Sequence, residues 1–348
     1  MSDLTAVSLF AGVGGFDLAL TRAGVKVVAA VEINEKCREV LGQRFPETKL
    51  FDDVKEVTGE QLRAAGFVPE RGIITAGFPC QDLSVAGLRK GLAGQRSGLF
   101  WEIIRLIDET QTESIILENV PGLLSSQQGK DMGIIITALV ERGYGVCWRV
   151  LDSQNFGVPQ RRRRVFIVAS RGNHRRPVEV LFESDSGFWN LEESGQKRKT
   201  VAAETKGSVN EDSTNELTDF IFQCNRKNDS RIYETIAPTL GCYVGSIPLT
   251  FTSNHKQLAS GKDVTNTITA SLYHHGTVVN QDVADGHLII DEPIVRKITP
   301  RECERLQGFP DDWTAAQADS HRYKMLGNAV SVPVVEWIIK RMVKLISE

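Results

Sequence analysis

Three short segments carry side chains able to do covalent chemistry. Gly77-Phe78-Pro79-Cys80-Gln81 supplies a thiol, Glu118-Asn119-Val120 a carboxyl group, and Gln160-Arg161-Arg162-Arg163-Arg164 a run of guanidinium donors. Together they suggest a nucleophile, an acid and an anion clamp. A thiol attacks as thiolate, and an unperturbed cysteine with a pKa of roughly 8.5 is only a few per cent ionised near neutrality. Positive charge from Arg162 and Arg164 would raise that fraction. Taken singly, a buried cysteine is usually inert core filling and an acid at a strand corner usually a surface group. Their conjunction argues for a site.

The surrounding sequence says which elements hold these groups. Ile73-Ile74-Thr75-Ala76 reads as a buried strand ended abruptly by Pro79, and Ile115-Ile116-Leu117 as another that ends at Glu118. Thiol and acid are therefore both expected at strand carboxyl ends, where open α/β sheets take their ligands. Val7 to Phe10 reads as a first strand and Phe16 to Ala23 as the following helix, with Gly12, Gly14 and Gly15 between them. A dinucleotide fingerprint would need glycine where Asp17 stands, which makes NAD a weak reading. Glu32, after the run Val27 to Val31, is placed to bind ribose hydroxyls. Strand and helix alternate from Ala6 to about Leu151, which predicts a parallel sheet with helices on both faces. Val146 to Leu151 and Val165 to Ser170 are separated too briefly for a helical crossover and are predicted to be antiparallel neighbours.

With these residues in view, the chain resembles the DNA cytosine-5 methyltransferases of bacterial and phage type. Phe10 to Phe16 resembles that family's cofactor loop, Gly77 to Gln81 its nucleophile motif, Glu118 to Val120 its acid motif, and Gln160, Arg162 and Arg164 its Gln-x-Arg-x-Arg motif. Thr299 to Cys303 with Leu306 to Pro310 resembles the ninth motif, and Gly327 to Val330 the last. The resemblance implies an α/β, Rossmann-like S-adenosylmethionine-dependent methyltransferase domain with a mixed, mostly parallel sheet, plus a smaller β-rich target-recognition domain. It implies methylation of cytosine C5 in a specific duplex DNA sequence by base flipping. Cys80 would add to C6, Glu118 would engage N3, Arg164 would hold O2 and Arg162 would support the site. S-adenosylmethionine would be bound by Phe10, Gly12, Gly14, Gly15, Glu32, Ile33, Asp53 and Asn328. Pro79, Gln81, Ser84, Asn119, Gln160, Thr239 and Leu240 would meet DNA, with Thr267 to Ser271 a second choice for the recognition loop. Two other readings stay open: an RNA (tRNA) cytosine-5 methyltransferase, and a catalytically silent DNA-binding relative.

Composition is compatible with a two-domain enzyme. The chain has 348 residues, and a prior of ~150 per domain gives about two. Domain boundaries are expected at 1–176, completed by 318–348, and at 177–317. A net charge of −3 is unusual for a nucleic-acid binder. Its distribution matters more: between Gln160 and Val178 there are seven arginines and no acid. Alternation along an extended segment would turn Arg162 and Arg164 inward and Arg161 and Arg163 outward. Six cysteines without a C-x-x-C pair suggest neither a zinc site nor a disulfide framework, and no metal is expected. No apolar run approaches the ~20 residues of a membrane span, so a cytoplasmic protein is expected; association with the nucleoid and a monomeric state are expected as well. The resemblance leaves room for a cognate restriction endonuclease acting separately.

Overall fold

The computed structural model describes residues 4–79, 98–182 and 298–347, together with the backbone of five short strands between 218 and 297. The chain divides into two compact units. The first comprises Met1–Leu151, Arg163–Gly187 and Val334–Glu348, and the second Asp152–Arg162 and Phe188–Pro333.

The apolar runs of the first unit form strands β1 (Thr5–Leu9), β2 (Lys26–Val31), β3 (Lys49–Phe51), β4 (Gly72–Gly77), β5 (Ser114–Asn119) and β6 (Tyr144–Asp152). Two more follow in sequence, the two-residue β7 (Gln160–Arg161) in the second unit and β8 (Arg163–Arg171) in the first. The sheet order is β3-β2-β1-β4-β5-β8-β6. The pairings from β3 to β5 are parallel, and β8 runs antiparallel to β5. The sheet is thus mixed and mostly parallel, with β6 and β8 adjacent as their short connection requires. Strands β1 and β5 are buried along their whole length, which is why they read as continuous apolar runs rather than alternating ones.

Among the described residues, the helices that accompany these strands are α1 (Gly15–Arg22), α2 (Glu35–Arg44), α3 (Gly59–Ala64), α4 (Leu99–Thr110) and α5 (Lys130–Val140), with α6 (Arg176–Leu181) following β8. On α4, Phe100, Ile103, Ile104 and Ile107 recur at helical spacing. They pack with Met132, Ile135 and Leu139 of α5 and with Ile74, Ile115 and Leu117 of the sheet. Each such side chain contributes about 1.5–3 kcal/mol on burial.

The second unit holds an antiparallel sheet of order β10-β9-β12-β13, from β9 (Thr218–Cys224), β10 (Ser230–Tyr233), β12 (Leu249–Ser253) and β13 (Val295–Lys297). The short β11 (Ala237–Pro238) pairs in parallel with β7. Helix α7 (Pro300–Gln307) starts with a capping box: Thr299 N–H donates to Glu302 Oε2 at 2.7 Å and Glu302 N–H to Thr299 Oγ1 at 3.3 Å. Gly308 ends it at φ +80°, and a Cβ there would lie 2.4 Å from Pro333 Cδ. Glu304 is fully buried and accepts from Thr314 N at 2.9 Å and from Arg322 Nη2 at 3.0 Å. This segment is a capped helix built around an ion-paired acid. Helix α8 spans Asp319–Asn328.

Helix α9 (Val332–Ser347) buries Val335, Ile338, Ile339 and Met342, a stripe at helical spacing. Arg341 on its other side stacks over Trp337 at 4.9 Å and donates to Val180 O at 2.7 Å, Phe182 O at 2.8 Å and Glu179 O. Arg149 donates to Leu181 O at 2.7 Å and lies over the Phe182 ring at 5.1 Å. Two guanidinium groups thus satisfy the carbonyls at the end of α6, where a helix leaves its last acceptors unpaired and its dipole favours cations.

Between β1 and α1 lies a buried acid. Asp17 accepts from Ser8 Oγ at 3.0 Å, is inaccessible to solvent, and has no partner for Oδ1 among the described residues. Burial pushes its pKa up to about 7; the Ser8 hydrogen bond opposes this and nearby Glu32 adds to it.

Two outcomes follow from these contacts. Arg341→Ala should lower stability by about 1–2 kcal/mol in denaturant melts, with partial recovery in Arg341→Lys. Asp17 binds a proton more tightly folded than unfolded. Stability should therefore fall as pH rises from about 4 to about 7, by at most ~4 kcal/mol. Asp17→Asn, which keeps an acceptor for Ser8, should be more stable than the parent at pH 8, and urea melts should show that gap closing toward pH 4.

Candidate active site

The parallel register of the first unit sets the carboxyl ends of four strands side by side. Leu9 pairs with Val31 and with Ala76, and Gly77 pairs with Glu118. Phe10, Glu32, Phe78 and Glu118 therefore emerge along one edge. The sequence β2-β1-β4-β5 spans three strand spacings of ~4.8 Å each.

At one end of this row the chain turns sharply. Phe10 has φ +56°, a conformation unusual for a residue with a side chain, and Gly12 and Gly14 have φ +58° and +84°. Gly14 is constrained twice, since a Cβ there would also lie 2.6 Å from a Phe45 ring carbon. At Gly12 nothing lies within 4 Å of a Cβ position, so the loop presents bare backbone beside open space. Gly15 begins α1. Glu32 ties this loop to β2, its Oε2 accepting from Gly12 N and its Oε1 from Asn34 N, both at 2.8 Å. The next side chain, Ile33, is 73% exposed, and an apolar residue so displayed beside a glycine loop suits the face of a flat ring. Asp53 is half-buried, with Oδ1 accepting from Lys55 N at 3.0 Å. An exposed apolar face, a carboxylate and a Cβ-free loop fit an adenosine carrying no phosphate, for which no anion cradle is needed.

At the other end stands the acid. Glu118 is nearly buried, and its Oε1 lies 3.0 Å from Arg164 Nε. Arg164 Nη1 donates to Arg163 O at 2.8 Å, which fixes the guanidinium. A Cβ on Gly77 would come 3.4 Å from Glu118 Oε2, so glycine leaves that oxygen room. Asn119 is buried: its Nδ2 donates to Phe78 O at 2.9 Å and its Oδ1 accepts from Val120 N at 2.8 Å. Asn119, expected to meet DNA, has its amide hydrogen-bonded within the protein, bracing the β4 end two residues before Cys80. Pro79 is exposed there. Cys80, Gln81, Ser84, Thr239 and Leu240 lie outside the described residues. Burial pushes the thiols of Cys147 and Cys303 up, so neither is poised as a thiolate.

The arginine run alternates as its extended backbone requires. Arg161 and Arg163 are exposed, Arg162 is buried and Arg164 partly so. Within the second unit, Arg162 donates to Ala329 O at 2.7 Å and reaches Gly327 O at 3.4 Å. Gln307 Nε2 donates to Leu326 O at 2.9 Å. These two side chains gather the carbonyls around Asn328, which itself is exposed between buried neighbours. Arg162 is accordingly a clasp for the last motif. Gln160 is fully buried, with neither amide atom partnered among the described residues. Gln307 lies within a segment marked by the sequence, but its partner Leu326 O is distant in the chain and carries no local signal. Among the described residues no His, Cys, Asp and Glu cluster could hold a metal, and no helix is long and apolar enough to cross a membrane.

Comparisons with known proteins agree on one family. Residues 4–344 match the model described as C-5 cytosine-specific DNA methylase. The chain is 31% identical over 347 residues to the Type II methyltransferase M2.BsuMI of Bacillus subtilis (strain 168), covering 96% of this chain and 74% of that protein. It is 30% identical to M.Bsp6I of Bacillus sp. (strain RFL6), covering 98% and 99% respectively. In fold it is similar to S. pombe Dnmt2 methyltransferase, with a TM-score of 0.62 at 18% identity over 99% of this chain and 100% of that one. A putative DNA modification methyltransferase encoded within an E. coli prophage gives 0.57 at 21% identity, over 99% and 100%. A family model spanning nearly the whole sequence, on a chain whose acid and arginine motifs meet at one sheet edge, makes this protein a member of the C-5 cytosine-specific DNA methylases.

Proposed function

We propose that the chain methylates C5 of a cytosine flipped out of duplex DNA, with S-adenosylmethionine as donor and Cys80 as a transient covalent nucleophile. The observation that carries this reading is the register of β4 and β5. It puts Glu118, oriented by Arg164, beside the strand end that leads into Pro79-Cys80.

Cytosine C5 is too weak a nucleophile to take a methyl group unaided. The Cys80 thiolate adds its electron pair to C6, while Glu118 holds a proton at N3 to accept the displaced charge. Oε1 is committed to Arg164, and Oε2 faces the space left by Gly77, which suits it to reach N3. C5 then carries enamine character. The cofactor, when bound, supplies an electrophilic methyl group. After C5 is methylated, a base removes its proton and the C6–S bond breaks, restoring the ring and the thiolate. Arg164 is suited to hold O2 as well as Glu118.

Phe10, the bare Gly12 backbone, Glu32, Ile33 and Asp53 are the residues suited to hold the cofactor, with Gly14 and Gly15 shaping the loop and Asn328 contributing from the last motif. The target base must leave the stack, at a cost of a few kcal/mol. Gln81 and Ser84 in the 81–95 loop, and Thr239 and Leu240, are the candidates for contacting DNA around it. The second unit, with its antiparallel sheet, would supply target recognition.

A duplex carrying 5-fluorocytosine, offered with S-adenosylmethionine across varied sequence contexts, should become covalently attached to the protein and not to Cys80→Ser. Glu118→Gln should slow methylation by roughly 10²–10⁴-fold, as loss of a general acid does. Absence of any adduct with the parent, or full activity in Cys80→Ser, would overturn the mechanism. Methylation of tRNA in place of duplex DNA would redirect the substrate, and bisulfite sequencing of DNA from expressing cells reads the target context.

A further inference from the structure

Arg38 lies on α2, six residues beyond Glu32, and its side chain turns back over the end of β2. Its Nη1 donates to Glu32 O at 2.8 Å and to Ile33 O at 2.7 Å. Its Nε lies 3.2 Å from Asp52 Oδ1, in the segment that leaves β3 and continues directly into Asp53. One planar guanidinium thereby joins the two loops that carry Glu32, Ile33 and Asp53. The backbone bond from Glu32 N to Phe51 O at 3.0 Å ties the same loops where they leave the sheet. Beyond that point, among the described residues, Arg38 is the side chain seen to connect them.

The contacts differ in weight. Asp52 is largely exposed, so its ion pair is screened and weak. The carbonyl bonds lie deeper and come from a side chain only one-fifth exposed. They fix the peptide planes on both sides of Ile33, and the direction of that exposed side chain depends on those planes. They also fix the backbone from which the Glu32 carboxylate reaches Gly12 N and Asn34 N. A lysine could reach one carbonyl or Asp52, but has no fork with which to hold both loops.

We propose that Arg38 is a positioning residue for the adenosine end of the cofactor: it sets the spacing and orientation of Glu32 and Ile33 against Asp53 without itself touching the ligand. This rests on the reading above that those three residues hold the cofactor. The methyl end of the site, at β4 and β5, does not involve Arg38, so affinity and turnover should separate.

Steady-state kinetics on duplex DNA test this. Arg38→Ala should raise KM for S-adenosylmethionine about tenfold, the scale of losing an outer support of a binding site. Its kcat at saturating cofactor should stay within about twofold of the parent. Arg38→Lys should fall between the two, and calorimetric binding of S-adenosylhomocysteine should weaken in the same order. If Arg38→Ala does not fold, Arg38→Lys and Arg38→Gln carry the same comparison. A lowered kcat with unchanged KM would mean a general structural role and would overturn the proposal, as would unchanged values of both. Glu32→Ala separates the two layers of inference. If it raises KM while the Arg38 variants do not, the positioning role alone fails; if it leaves KM and S-adenosylhomocysteine binding untouched, the cofactor assignment itself fails.

Discussion

The in-register pairing of β4 with β5 is the constraint from which the site follows. A parallel pair brings equivalent residues to the same level, so Gly77 opposite Glu118 decides that the segment entering Cys80 and the acid leave the sheet together. A slip of one residue would turn the Glu118 side chain to the other face. The apolar runs before each motif guard against that slip, because Ile73, Ile74, Ile115 and Ile116 are all wholly buried. Asn119 adds a lock across the same pair through Phe78 O. The placement of the groups proposed to do the chemistry is therefore specified by packing several residues upstream of them.

The sequence made much of this readable because buried parallel strands announce themselves as unbroken apolar runs, and the reactive residues follow them directly. The glycine loop was equally legible, since positive φ at Gly12 and Gly14 leaves few alternatives to glycine. The division of the arginine run into inward and outward members came from strand alternation alone. Less legible was what each inward side chain touches. Arg162 reads as a pocket residue until its guanidinium is seen on Gly327 O and Ala329 O, more than 160 residues away in sequence. Asn119 reads as a substrate contact, yet both ends of its amide are used inside the protein. No local pattern encodes such partners, because they depend on which distant backbone groups the fold brings near.

The two supports differ in kind. Glu118 and Arg164 form a charged pair at low exposure, where Coulombic attraction is less screened and orientation is held firmly. Glu32 is held by neutral backbone N–H groups, which orient a carboxylate while leaving its remaining lone pairs for a hydroxyl. The same residue type is thus held in two ways, which under the proposed function would suit one carboxyl group to a ring nitrogen and the other to a sugar. Asp17 shows the third condition, an acid removed from water with no cation beside it, whose charge is suppressed instead.

The first unit is assembled from separated stretches of chain, and its closing helix belongs to the final fifteen residues assigned to it. During synthesis on a ribosome the sheet strands would all emerge before α9, with most of the second unit, from Phe188 on, translated in between. Throughout that interval the surface destined for Ile338, Ile339 and Met342 has nothing to cover it. Vectorial synthesis therefore leaves the apolar partners of these side chains open to other molecules, and shielding by chaperones would matter most in the seconds before α9 arrives.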